Sequence, residues 1–302
     1  MIYKSILNTI KAAALILLMG INADASAHNK VVVVPLGGGE SAPMKNVIRV
    51  SAKNGDFTSI AGALASITDS TTNNTYLVLV GPGTFHNTST MIIPTGVSLV
   101  GSGFEQTAIF AQVTHASSFE NAAAVFVSHR ASISNLAISN IGFSAPGELV
   151  VGVFLEDEAR ADSVEVFVNS SGTINTGVAS NVTTIVSARI NNSKIVVENG
   201  TSATGVLSIL GTLEIRDSLI TASSASLKNT AVLDSAVAEI ILRNSVVNAT
   251  GTNSTGIEIN SIDTKITQVQ VDGATADVVD NQALVTNCLD VFDSALTFLG
   301  GC

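Results

Sequence analysis

Hydrophobic positions along this chain come in short runs broken by Ser, Thr, Asn and Gly. Residues 188–197 (ARINNSKIVV), 213–220 (LEIRDSLI) and 239–247 (EIILRNSVV) are β-branched and alternate with polar positions, which predicts strands. The runs recur. A small residue followed by an aliphatic one stands at Ala124-Val125, Gly152-Val153, Gly177-Val178, Gly205-Val206, Ala231-Val232, Gly256-Ile257 and Ala283-Leu284, at spacings of 28, 25, 28, 26, 25 and 27. A second marker travels with it: Ser134-Asn135, Asp162-Ser163, Asn192-Ser193, Asp217-Ser218 and Asn244-Ser245. A unit of two or three short strands cannot bury its inward face alone, so successive units must stack. The period suits an all-β, single-stranded parallel β-helix; the rival leucine-rich horseshoe would need a Leu-x-x-Leu-x-Leu pattern that is missing. The aliphatics are then expected to stack inside. Asn135, Asp162, Asn192, Asp217 and Asn244 are expected at turns, bonding from coil to coil. Seven marked coils and about three before them predict a column of about 45 to 50 Å.

The period changes twice near the ends. Residues 56–67 (DFTSIAGALASI) place Phe57, Ile60, Leu64 and Ile67 on one helical face, with Asp56 suited to the cap, so a capping α-helix is expected at the N-terminal end of the stack. Upstream, Lys4 and Lys11, the apolar run 12–21 and Ala25-Ser26-Ala27 read as a cleaved leader over residues 1–27. An N-terminal extension over 28–46 and a β-helix domain over 47–302 follow. The run 12–21 is too short to span a bilayer, so no membrane insertion and a secreted or periplasmic protein are expected. Cys288 and Cys302 are the chain's two cysteines; in an oxidising compartment they are expected to form a disulfide cap at the C-terminal end.

Composition narrows the function. The chain carries 14 Lys plus Arg against 24 Asp plus Glu, a net charge of -10, which excludes a nucleic-acid reader dependent on a basic footprint. A hydrophobic content of 46% excludes a disordered chain. There is no Trp, and Tyr3 and Tyr76 are the only tyrosines, so few rings are available for stacking on sugars. Phe126, Phe154 and Phe167 follow the strands and are expected as core stacks.

The stretch Ile48 to Gly103 carries Gly55, Asp56, Phe57, Ala63, Gly81, Gly83, Phe85, Gly101 and Gly103 in an order that resembles the opening of pectin methylesterases and, more broadly, the pectin-lyase-like superfamily. The resemblance implies a right-handed coil and an exported setting. The superfamily's esterase segments, Gln-Asp and Asp-Phe-Ile-Phe-Gly, have no counterpart: Gln106, Gln112, Gln268, Gln270 and Gln282 are never followed by Asp. The polygalacturonase signatures Asn-Thr-Asp, Asp-Asp and Gly-His-Gly are also missing.

Two candidate chemistries remain. Glu156, Asp157 and Glu158, with Arg160, Asp162 and Glu165 close behind, form the densest acidic cluster. It reads as a solvated turn, or as carboxylates (Glu156, Asp157, Glu158) for Ca²⁺ beside an Arg acting on an acidic sugar. Under that enzyme reading Arg160, Asp162 and Glu156 would be catalytic. No other cofactor is expected. Arg130, Arg160, Arg189, Arg216 and Arg243 recur at 30, 29, 27 and 27 residues, close to the coil period. Arg216 and Arg243 both stand two residues before a marker Ser and should share a face. Arg189, Arg216 and Arg243 could grip an anionic polysaccharide, or Glu214, Asp217 and Glu239 could neutralise them. His86, His115 and His129 lack metal-ligand spacing. The sequence thus supports a repeat protein that binds a polysaccharide or cell-surface partner without catalysis, against a lyase or esterase acting on acidic, pectin-like polysaccharide.

Overall fold

The computed structural model describes residues 46–142, 147–171, 173–184, 186–235, 237–261, 264–281 and 287–293, with the backbone alone at 287–289. These residues wind as a right-handed parallel β-helix whose coils lay strands on three parallel sheets. The first sheet begins with Asn46–Val50, Tyr76–Val80 and Val97–Val100, and nine parallel pairings carry it to the start of Asn287–Phe292. Ten rungs at about 4.8 Å make a column of about 43 Å. The second sheet starts at Gly83–Asn87, and the third runs from Met91–Ile93 to Ala276–Asp280.

The repeat markers fall where stacking requires them. Val125, Val153, Val178, Val206, Val232 and Ile257 form one inward column of the third sheet. The column continues to Val278; the expected Leu284 lies outside the described residues. On the first sheet, Ile133, Ala161, Ile190, Ile215, Leu242 and Ile266 stack in register and are fully buried. The small residue of the third-sheet marker has a steric reason. A Cβ at Gly177 would lie 2.4 Å from Ile195 Cγ2 and 2.5 Å from the Gly205 carbonyl oxygen.

The second marker is the kink between the first and second sheets. Asn135, Ser163, Asn192, Asp217, Asn244, Gln268 and Asp290 take left-handed φ values between 45° and 55°, which Asn and Asp tolerate best. In the second of these coils the kink residue is Ser163, and Asp162 is a strand residue paired with Ser134 and Asn191. The continuous ladder is made by the serines. The Ser193 amide donates to Ser218 Oγ and the Ser218 amide to Ser245 Oγ, both at 3.2 Å. Each hydroxyl donates at 2.7 Å to a carbonyl of its own coil, so a buried hydroxyl ties neighbouring rungs.

The cap helix α1 spans Ile60–Ser66 and starts later than the periodicity predicts. Ser59 is its N-cap, accepting from the Gly62 amide at 3.1 Å. Asp56 instead accepts from the Arg49 amide at 2.8 Å, closing the loop that leads into α1. Ile60, Ala63, Leu64 and Ile67 bury into the main core as expected.

Phe126 and Phe154 do stack, with centroids 5.4 Å apart and planes at 6°. They lie outside the coil, because each sits between two residues that point into the main core. They belong to a second apolar cluster with Ala123, Val151 and Ala179, packed against Phe119 of the short helix α2, Phe119–Ala122.

At the corner from the third to the first sheet, Asp234 is 1% exposed. Its carboxylate accepts from the Asn260 amide, from Ser261 Oγ at 2.7 Å and from Thr264 Oγ1 at 2.6 Å, all in the next coil.

Among the described residues no helix is long and apolar enough to cross a membrane. They also contain no disulfide; Cys302 and the Cys288 side chain lie outside them, as do the leader and residues 28–45.

Candidate functional site

Strand alternation decides which side chains the first sheet shows to solvent. Buried Ala161, Ile190, Ile215 and Leu242 point inward, so Arg160 and Asp162, Arg189 and Asn191, Glu214 and Arg216, and Ile241 and Arg243 point outward. Register then sorts them into two columns. One holds Arg160, Arg189, Glu214, Ile241 and Lys265; the other holds Asp162, Asn191, Arg216, Arg243 and Thr267. The expected pairing of Arg216 with Arg243 on adjacent rungs is therefore observed, and Arg189 sits one column over.

Neutralisation of this row is incomplete. Glu214 is 7% exposed and serves two arginines. Arg216 Nε donates to it at 2.9 Å, and Arg189 Nε lies 3.1 Å from its other oxygen. Glu239 is taken by Lys265 at 2.5 Å and by the Thr212 hydroxyl at 2.9 Å. Asp217 accepts from the Asn244 amide group and does not reach an arginine. Arg243 is exposed and forms no side-chain hydrogen bond or ion pair among the described residues.

The acidic cluster occupies the preceding corner and the start of a first-sheet rung. Its members are dispersed among separate partners. Glu156 accepts from the His129 amide at 3.1 Å, and Arg130 Nε donates to Glu158 at 2.7 Å. Asp157 accepts from the Thr183 amide at 2.5 Å, the Thr183 hydroxyl at 2.8 Å and the Thr184 amide at 3.1 Å. Glu156, Asp157 and Glu158, the set expected for Ca²⁺, are thus each engaged by a different partner. Successive side chains of a tight corner diverge, and no three His, Cys, Asp or Glu among the described residues converge on a metal position.

Burial pushes Asp157 up, but the three donors from Thr183 and Thr184, with nearby His129, hold it below the usual carboxylate value. The Arg130 hydrogen bond outweighs burial and holds Glu158 low as well, while Glu158 raises Arg130.

Arg160 and Asp162 share the outer face of one rung, and Asp162 accepts from Asn191 Nδ2 at 2.7 Å. Glu156 stands in the corner before them, so the three enzyme candidates follow one another along a single coil. Glu165 pairs with Lys194 at 2.6 Å on the second sheet. His115 accepts from the Ser117 and Ser118 amides before α2, and His86 meets Phe110 edge-on at 5.4 Å.

No protein-family model matches the chain, and no curated protein matches it in sequence. Solved structures of similar fold exist. Pectin methylesterase from carrot is 13% identical over 86% of this chain and 87% of its own, with a TM-score of 0.56. Pectin methylesterase from Aspergillus niger is 12% identical over 85% and 88%, at 0.55. A pectate lyase is 14% identical over 76% of this chain and 63% of its own, at 0.51. At such identities the likeness is one of fold. What they share with this chain is the right-handed parallel β-helix.

Proposed function

We propose that this chain engages an acidic, pectin-like polysaccharide through the outer face of its first sheet. The observation that carries the reading is the cationic row on a protein of net charge -10. Among the described residues, Arg189, Arg216, Arg243 and Lys265 share that face with Glu214 and Glu239. Guanidinium forks repeating at about 4.8 Å per rung suit a chain that presents a carboxylate on successive sugars. Export through the leader read in residues 1–27 would bring the protein to such polymers.

The test is affinity for polygalacturonate, measured by titration calorimetry at two salt concentrations. Replacing Arg189, Arg216 and Arg243 together by Gln is expected to weaken binding by about tenfold or more and to flatten its salt dependence. Undiminished binding by the triple variant would refute the assignment.

A second reading has specific support in the fold shared with pectin methylesterases and a pectate lyase: action on the polysaccharide as an esterase or lyase. Arg160, Asp162 and Glu156 are then the catalytic candidates. Methanol release and unsaturated-product release from pectin and polygalacturonate, compared with Arg160→Ala, decide it. Turnover lost in that variant supports catalysis, and no turnover by the wild type removes it.

A further inference from the structure

The polar outer surface changes character along the stack. In the middle coils the outward groups satisfy one another from rung to rung: Asp162 with Asn191, Ser163 with Asn192, Glu165 with Lys194, and Asp217 with Asn244. Along the kink this pairing ends at Asn244 among the described residues, although Glu239 still pairs with Lys265 on the first sheet. Arg243, Gln268, Gln270 and Asp290 have no side-chain hydrogen bond or ion pair among the described residues. A groove of about 480 Å³ opens at the same place, along the kink between the first and second sheets.

Its lining is two columns across three coils. Asn244, Gln268 and Asp290 are successive kink residues, held outward by their left-handed backbone. Val246, Gln270 and Phe292 are register partners on the second sheet. We propose that this groove binds a glycan lying parallel to the coil axis, over three rungs about 4.8 Å apart.

The chemistry follows from the lining. Val246 and Phe292 give an apolar floor for the C–H face of a sugar ring. Gln268 and Gln270 each offer an amide donor and acceptor to hydroxyl pairs, and Asp290 accepts from hydroxyls. Arg243 precedes Asn244 in sequence on the outer face of the first sheet, where it could meet a carboxylate of a glycan extending beyond the groove. The scarcity of aromatic residues argued against a dedicated sugar groove, whereas here amides supply the recognition that rings supply elsewhere. The inference rests on the polysaccharide reading above and adds a seat for the sugar rings.

The test titrates the full-length mature chain with a galacturonic acid hexamer and a neutral galactose hexamer. The double variant Gln268→Ala/Gln270→Ala replaces exposed or half-buried side chains without partners, and circular dichroism checks that it keeps its fold. It is expected to bind about tenfold more weakly, as is Phe292→Ala, while Glu165→Gln/Lys194→Gln binds within about twofold of wild type. Wild-type affinity in the double variant, or no binding of either hexamer by the wild type, overturns the groove. Arg189→Gln/Arg216→Gln separates the two proposals. Loss of uronate binding there, with none in the groove variants, leaves the acidic-polysaccharide reading and removes the groove. Neutral-hexamer binding that the groove variants abolish, without uronate binding by the wild type, does the reverse.

Discussion

Asp234 is a buried carboxylate that ties one coil to the next, and its removal should be among the most damaging single changes on the molecule. Asp234→Ala deletes three hydrogen bonds to a charged acceptor, each of about 1.5 to 3 kcal/mol. The loss is smaller than their sum. Ser261 Oγ and Thr264 Oγ1 already lie 3.0 Å apart and can bond to each other, so only the Asn260 amide is wholly orphaned. A destabilisation of about 3 to 4 kcal/mol is expected. Asp234→Asn keeps one oxygen for the Asn260 amide, and the two hydroxyls can turn to accept from the new amide; about 1 to 2 kcal/mol is expected. Because a stacked fold can open from one region, urea unfolding followed by circular dichroism should be paired with hydrogen exchange. Faster exchange should centre on the amides of Asn260 and Ile240, the latter donating to Thr264 Oγ1 at 3.3 Å. An Ala variant within about 1 kcal/mol of wild type, or exchange accelerated only in remote coils, would refute the reasoning.

Two further outcomes follow from the packing and the charges. Gly177→Ala places a methyl group 2.4 Å from Ile195 Cγ2, so a cost of about 2 to 3 kcal/mol is expected. Calorimetry should show a melting midpoint lower by several degrees, and a midpoint unmoved would contradict the steric account. Asp157 and Glu158 are held below their ordinary values in the folded state, so their contribution is complete above the unfolded carboxylate range and is lost as pH falls through the folded values. Melting scans from about pH 7 to pH 3 should show a steeper acid decline for wild type than for Asp157→Asn/Glu158→Gln, and parallel declines would count against the corner's role.

Much of the coil was legible because its two constraints act on single residue types. Only a small residue fits where Gly177 faces Ile195, and Asn or Asp best tolerates the kink, so both leave a period that can be read. The serine ladder was half visible: Ser193, Ser218 and Ser245 were part of the marker, but their solvated Asn and Asp neighbours look more capable of bonding. The outward stacking of Phe126 on Phe154 was hidden because a run of apolar residues does not say which of them faces in. Helix periodicity placed α1 correctly but not its start, since Asp56 and Ser59 are both good caps and tertiary contact with Arg49 claims the first. At the candidate site, the stacking of Arg216 on Arg243 followed from their common offset to the marker. The choice of Glu214 as the shared partner of Arg189 and Arg216 depends on inter-coil register, as does the groove at Gln268 and Gln270.

The kink residues also determine what kind of length change the protein can absorb. Asp217 and Asn244 stand 27 residues apart and occupy equivalent places in consecutive coils. Duplicating that interval would lengthen the stack by a rung while leaving every other side chain on its original face. Deleting one residue inside a strand such as Ala238–Arg243 would turn Leu242 outward and Arg243 into the core. Growth and shrinkage of this protein are therefore quantised in whole coils, and its binding surface can be extended by copying a segment without redesigning any part of it.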